Sequence, residues 1–269
     1  MFVMKRVSRL MISIIHKKYP MKKRAFFILI SLLCAAGVVF AARSILKQPP
    51  SKNAAEIPST SETMKIEITL PAPSLKGTMS VEEALNTRRS ERSYADNALS
   101  LQQVAQLLWA AYGVTMVSSS GRQYKTAPSA GATYPLEIYL MAGKVTDLQP
   151  GLYRYLPEKH SLIKEQGGDL RHKVKNACLG QSMLNDAPVS IIFSAVYERT
   201  TEKYGKRGEE RYVYMDLGHA AQNLYLQATA LGLGTCAIGA FDDDQLQKVL
   251  QLPADEKVLY LMPVGYVNK

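Results

Sequence analysis

Arg88, Arg89, Ser90, Arg92 and Ser93 crowd into six consecutive positions of the segment Thr87–Tyr94. A guanidinium is a rigid, permanently charged fork that matches phosphate oxygens, and a serine adds a compact hydroxyl donor. Such a cluster directly after a short apolar helix (Val81, Ala84, Leu85) reads as a pocket for a phosphorylated cofactor. Its plain alternative is a solvated basic helix end, where cations meet the negative end of the dipole. A second segment, APSAGATYPLE (Ala127–Glu137), puts small residues and prolines before a strand, so that backbone amides can approach a flat ligand. An ordinary turn would look the same. A third, ALGLGTCAIGAF (Ala230–Phe241), holds a GxGxxA spacing. It follows a helix instead of a strand, the reverse of the order a dinucleotide-binding turn requires. A glycine-rich exit from a long helix can still lay its backbone across a ring system.

The elements that must position these segments are mixed. Ser80 with Glu83, and Ser100 with Gln103, form capping boxes for helices 81–87 and 101–112, the second stopped by Gly113. Ile66, Ile68 and Leu70 alternate with polar neighbours and predict an edge strand before Pro71. Strands are expected at 136–141, 151–156 and 161–164, the last two as a meander. Asp169 is expected to cap a helix to about Leu179. The apolar run Val189–Tyr197 suits a central buried strand. A long helix is expected from Arg211 to Leu231, another over 243–251 after Asp242, and a closing buried strand from Lys257 to Val264. Helices and strands do not alternate strictly, which favours α+β over a doubly wound sheet. Trp109 and Tyr112 read as core, and Asp216, Asn223 and Gln227 as buried hydrogen-bonding groups.

The chain carries 33 Lys and Arg against 23 Asp and Glu, a formal charge of +10. Residues 1–50 contain ten of the basic side chains and no acid, so the rest is formally neutral. A basic folded face, which nucleic-acid binding needs, is therefore not expected. The uncharged run Ala25–Ala42 follows Lys22-Lys23-Arg24, and residues 21–42 read as a signal peptide or an N-terminal membrane anchor. The expected consequence is an exported domain, periplasmic or held outside the cytoplasm. Met21 offers a second start, which would make residues 1–20 an over-extension. Residues 43–78 read as a tether, and 79–269 as one domain. Cys178 and Cys236 lie in unrelated contexts, so no disulfide framework is expected. His160, His172 and His219 show no metal-ligand spacing.

Taken in order, RRSxR, PSAGATYPLE, the helix DLGHAAQNLYLQATALGLG and the closing PVGY resemble the FMN-dependent nitroreductase family over about residues 79–266. The run Lys203-Tyr204-Gly205-Lys206-Arg207-Gly208 resembles the KYGxRG segment of the SagB/ThcOx-type dehydrogenases, which include oxidases of azoline rings in modified peptides. The resemblance implies an α+β fold, a mixed sheet flanked by helices. It also implies a homodimer with FMN in two clefts between subunits. Arg88, Arg89, Ser90 and Arg92 would then hold the FMN phosphate, its ribityl chain and the N1/O2 edge of the ring. Ser129, Ala130 and Gly131 would line the ring from the partner subunit, and Ile238 and Gly239 would offer backbone groups near N5 and O4. Lys203 or Tyr204 could act as the base that azoline oxidation needs; a solvated mixed-charge loop is the alternative. The expected function is an oxidoreductase passing two electrons from a donor, NAD(P)H stacked on the flavin among the candidates, to a small organic acceptor. An azoline dehydrogenase acting on a peptide, and a non-catalytic tethered flavoprotein or interaction module, are the other readings.

Overall fold

The computed structural model describes residues 66–268. The expectations placed on residues 1–65, including the run Ala25–Ala42, lie outside the described residues. Among the described residues no helix is long and apolar enough to cross a membrane.

The chain order is β1 (Glu67–Thr69), α1 (Val81–Thr87), α2 (Leu101–Tyr112), β2 (Val114–Val117), β3 (Gln123–Lys125), a 3-10 turn (Ala130–Ala132), β4 (Leu136–Ala142), β5 (Gly151–Leu156) and β6 (Ser161–Gly167). There follow α3 (Arg171–Ala177), α4 (Met183–Asp186), β7 (Val189–Val196), α5 (Glu198–Tyr204), a π-helical turn (Gly208–Tyr212), α6 (Val213–Ala230), β8 (Gly234–Thr235), α7 (Asp243–Leu250) and β9 (Glu256–Gly265). The fold is α+β. Seven strands form one sheet in the order β1-β6-β5-β4-β7-β9-β8. Every strand pair in it is antiparallel. Among the described residues parallel pairing is confined to isolated bridges, Ser90–Thr235 and Leu99–Val145.

Side-chain alternation explains the two-sided core. On β4, Ile138, Leu140 and Ala142 join the cluster beneath α2 and α6, while Tyr139 and Met141 join the cluster beneath α3 and α7. On β7, Ile191, Phe193 and Ala195 face the first cluster and Ile192 the second. A strand covered on both faces has no polar side, which is why Val189–Val196 is nearly all apolar. Each fully buried Leu or Ile here contributes roughly 1.5–3 kcal/mol relative to exposure.

Local signals set most boundaries. Ser100 Oγ accepts from Gln103 N at 3.2 Å and the Gln103 side chain accepts from Ser100 N, a complete capping box for α2. Ser80 supplies the forward half, accepting from Glu83 N at 3.0 Å. Asp242 caps α7 through Gln245 N. Leu170 rather than Asp169 takes the cap position of α3, yet Asp169 Oδ1 accepts from Arg171 N at 3.1 Å at the helix start while its carboxylate grips the Arg171 guanidinium. The β2–β3 hairpin was not expected. Lys203 and Tyr204 are not in a loop but in the last turn of α5, whose Thr200 is buried. The expected start of the long helix at Arg211 falls inside the π-helical turn, so α6 itself begins at Val213.

Candidate active site

Helix α6 is the bar to which the candidate segments are fixed. At its N-terminal end Asp216, 2% exposed, accepts a hydrogen bond from Ala130 N at 3.1 Å through Oδ1. Ser129 Oγ accepts from Tyr134 N at 2.9 Å and closes the turn from within. Further along, Asn223 Nδ2 donates to Thr126 O at 3.1 Å, and Gln227 accepts from Gln106. The hydrogen-bonding roles expected of Asp216, Asn223 and Gln227 are present, but only Asp216 is buried; Asn223 and Gln227 are half-buried. Their product is a fixed path for residues 126–130.

Burial is the first cause that raises the Asp216 carboxyl above its ordinary range, and the Ser129 and Ala130 donors oppose it. Its Oδ2 is buried without a hydrogen-bond partner among the described residues. A raised folded-state value contributes stability that is present at acid pH and lost as pH climbs through that value. Asp216→Asn should therefore flatten this part of the stability–pH curve, gaining on wild type from about pH 4 towards neutrality. Asp216→Ala strands the Ala130 amide and should cost about 1–3 kcal/mol. Thermal melts of the three proteins across that pH range check both outcomes.

Gly131 is where two separately predicted sets meet. Its φ is +60°, a conformation glycine adopts without strain. A Cβ there would collide with the Tyr204 hydroxyl and would lie 2.6 Å from Lys203 Nζ. Lys203 Nζ donates to Gly131 O at 3.2 Å. Tyr204 packs edge-on against Tyr212 with ring centres 4.8 Å apart. The candidate base pair thus touches the candidate ring-lining segment within one chain, and Lys203 itself is exposed.

The arginine cluster gathers around Tyr225, nine residues beyond Asp216 on α6, or roughly 14 Å along the axis. The Arg88 guanidinium lies over the Tyr225 ring at 5.1 Å. The Tyr225 hydroxyl stands 3.2 Å from Ser90 Oγ and accepts from Ala237 N at 2.8 Å. Glu91 N donates to Thr235 O at 3.0 Å. Residues 88–92 and the glycine-rich segment therefore form one locus. Tyr225 carried no sequence signal, because a tyrosine on an amphipathic helix reads as core. Arg89 turns back on the carbonyls of Asn86 and Arg88, and Arg92 reaches Ser90 O at 3.4 Å.

Ile238 departs from expectation. Its N–H donates to Leu261 O at 2.9 Å and its carbonyl accepts from Leu261 N at 3.0 Å, so its amide is already spent on β9. Gly239, exposed and with Tyr260 3.2 Å from where a Cβ would sit, keeps the close-approach geometry.

The donor set fits a phosphate such as that of FMN. Arg154, Arg171 and Arg199 each rest on a carboxylate. Arg88, Arg89 and Arg92 form no such pair among the described residues, so three permanent charges within five positions lack an internal counter-ion. No His, Cys, Asp or Glu grouping suited to a metal occurs among the described residues. Cys178 and Cys236 are free and buried, and burial pushes the Cys178 thiol up to about 12. His160 bonds Tyr155 and Pro71 O, an ordinary packed histidine.

The sequence profile described as the nitroreductase family matches residues 85–266. A protein of Methanocaldococcus jannaschii named as a nitroreductase is 44% identical over 204 residues, covering 76% of this chain and 97% of that protein. The microcin B17-processing protein McbC of Escherichia coli is 27% identical over 161 residues, covering 58% of each chain. A crystal structure of a nitroreductase from Ralstonia eutropha superposes with a TM-score of 0.65 at 30% identity, covering 83% of this chain and all of that one. With a family match across more than half its length and a close relative matched almost end to end, the chain belongs to the nitroreductase family.

Proposed function

We propose that this nitroreductase-like oxidoreductase is FMN-dependent and passes two electrons from a donor such as NAD(P)H to a small organic acceptor. The observation that carries this reading is the cluster Arg88, Arg89 and Arg92, without carboxylate partners among the described residues, in which Arg88 and Ser90 meet Tyr225 and Tyr225 in turn holds Ala237 N. FMN, when bound, would supply a ring that takes up and gives back hydride. The chain's own residues supply the rest. Arg88 and Ser90 would hold the phosphate end, and Arg92 would set a positive charge that favours the reduced ring. Ser129, Ala130 and Gly131 would lay backbone against the ring's edge, and Gly239 would approach it from the other segment. Lys203 or Tyr204 would move the proton that accompanies hydride.

We also infer a homodimer. Support comes from α6, which anchors the two candidate halves at separate points, and from exposed apolar side chains on three elements. These are Val81 and Leu85 on α1, Met116 and Val117 on β2, and Tyr214 and Met215 on α6. Export or membrane tethering rests on the sequence of residues 21–42 alone.

A second reading, dehydrogenation of azoline rings in a modified peptide, is favoured by the contact of Lys203 and Tyr204 with Gly131 and by likeness to McbC. The same base would remove a ring proton as hydride leaves.

The test uses the full chain reconstituted with FMN. It should be yellow, bleach with NADPH or dithionite, regain colour with nitrofurazone, and sediment as a dimer. Oxidation of a thiazoline peptide to a thiazole would select the second reading. A chain that stays colourless after reconstitution would overturn both.

A further inference from the structure

A polar cavity of about 360 Å³ lies between the β2–β3 hairpin, the segment 133–138, the β5 end and α5. Its walls include Lys125, Tyr112, Tyr134, Glu137, Glu158 and Arg199. The Lys125 side chain is only 8% exposed. Its ammonium sits 4.3 Å from the Tyr112 ring centre and 5.2 Å from that of Tyr134. Glu158 approaches it no closer than 3.6 Å, beyond hydrogen-bond length, from a side chain 45% exposed. Two ring faces and one distant carboxylate leave the three N–H donors of a buried ammonium underused. Burial accordingly pulls Lys125 below the usual lysine range.

Tyr112 adds a second unused donor. The residue is 1% exposed, and its hydroxyl proton finds no acceptor among the described residues, the nearby Leu136 backbone being a donor. A buried hydroxyl left unpaired costs about 1–3 kcal/mol, so such groups are ordinarily satisfied by something. The other cations of the cavity are already neutralised. Arg199 rests on Glu137 and on Tyr134 O, and Arg154 rests on Glu165. The most loosely paired charge in the cavity is therefore that of Lys125, whose carboxylate partner Glu158 stands 3.6 Å away on a half-exposed side chain.

We propose that this cavity is a binding site for a small monocarboxylate with a flat apolar body. Lys125 Nζ and the Tyr112 hydroxyl hold the carboxylate, and the Tyr134 ring flanks the body. One negative charge can displace the loose Glu158 contact of Lys125, whereas a phosphate dianion would meet about twice the repulsion from Glu137 and Glu158. The site stands on these groups and does not depend on the reading of the reaction. It does share a wall with the candidate active site: Thr133 and Tyr134 line it, Gly131 lies just before them, and Arg199 is one turn ahead of Lys203 on α5.

The test is calorimetric titration of the full chain with benzoate at neutral pH, with benzamide and inorganic phosphate as comparison probes. Benzoate should bind saturably with a Kd tighter than about 10 mM, and benzamide at least about tenfold more weakly. Phosphate should not compete. Lys125→Met should weaken benzoate by about ten- to hundred-fold, the loss of a charged hydrogen bond. Tyr112→Phe, which keeps the ring and the packing, should weaken it by about tenfold. That variant carries the test if Lys125→Met does not fold. Equal benzoate affinity in wild type and Tyr112→Phe, absence of saturable binding, or phosphate binding as tightly as benzoate would each overturn the proposal. FMN content is read in parallel, so failure of this site is distinguishable from failure of the flavin reading.

Discussion

Replacing Lys203 with methionine is expected to slow substrate turnover by about 10²–10⁴-fold, with fold and flavin content unchanged. Methionine keeps the length and apolar character of the stem and removes the proton-carrying group. Structurally the loss is small, because Lys203 is exposed and its ammonium donates to Gly131 O at 3.2 Å from the surface. Tyr204→Phe separates the hydroxyl from the ring, since the edge-on packing against Tyr212 survives. Only the residue that moves the proton should alter the pH profile of turnover as well as its rate. Reduction of the bound flavin by dithionite, and its reoxidation by oxygen, bypass substrate protons and should proceed at wild-type speed in both variants. Gly131→Ala reaches the same end from the backbone: it loses the freedom for φ +60° and drives a methyl group into both side chains. Wild-type turnover in Lys203→Met and Tyr204→Phe alike would return the pair to an ordinary surface.

What the sequence disclosed depended on whether the signal was local. Helix α2 was legible to the residue, because Ser100, Gln103 and Gly113 define its ends through bonds made within a few positions. Strand β7 was legible because burial on both faces removes every charged residue. The β2–β3 hairpin was not. Met116, Val117 and Tyr124 are exposed, so no face of it is marked by burial, and its pairing slips between Val114 and Met116. The end of α5 was hidden by its own polarity, which resembled a loop although Thr200 faces the interior. At the candidate site, Arg88, Ser90 and Gly131 announced themselves by type and spacing. Tyr225 did not, since what distinguishes it is contact with residues 135 positions before it and 12 after it. Ile238 was misjudged for the same reason: its amide partner, Leu261, is set by sheet assembly. Long-range pairing is what short motifs cannot carry.

Arg88→Ala is expected to weaken FMN binding by about ten- to hundred-fold, the equivalent of roughly 1.5–3 kcal/mol for charge-assisted hydrogen bonds. Among the three arginines of the cluster, Arg88 is the one laid on an aromatic face, 5.1 Å from the Tyr225 ring centre. The ring fixes the plane of the guanidinium and leaves its donors for a ligand. Arg89 spends donors on its own turn, at Asn86 O and Arg88 O, so Arg89→Ala should cost less. Arg88→Lys keeps the charge without the fork and should fall between wild type and alanine. Tyr225→Phe keeps the ring beneath Arg88 but removes the hydroxyl that binds Ala237 N and approaches Ser90. It should weaken FMN without changing the charge of the site. Arg92→Ala should both weaken binding and make the bound flavin harder to reduce, if its charge faces the ring. Lys206→Ala is the control, because Lys206 is solvated and paired with Glu210 at 3.0 Å. Affinities from flavin fluorescence quenching, with circular dichroism to establish the fold, give the order directly. Should Arg88→Ala and Arg92→Ala both bind FMN as tightly as Lys206→Ala, the cluster reverts to a solvated helix end, where unpaired arginines meet only water and the dipole of α1.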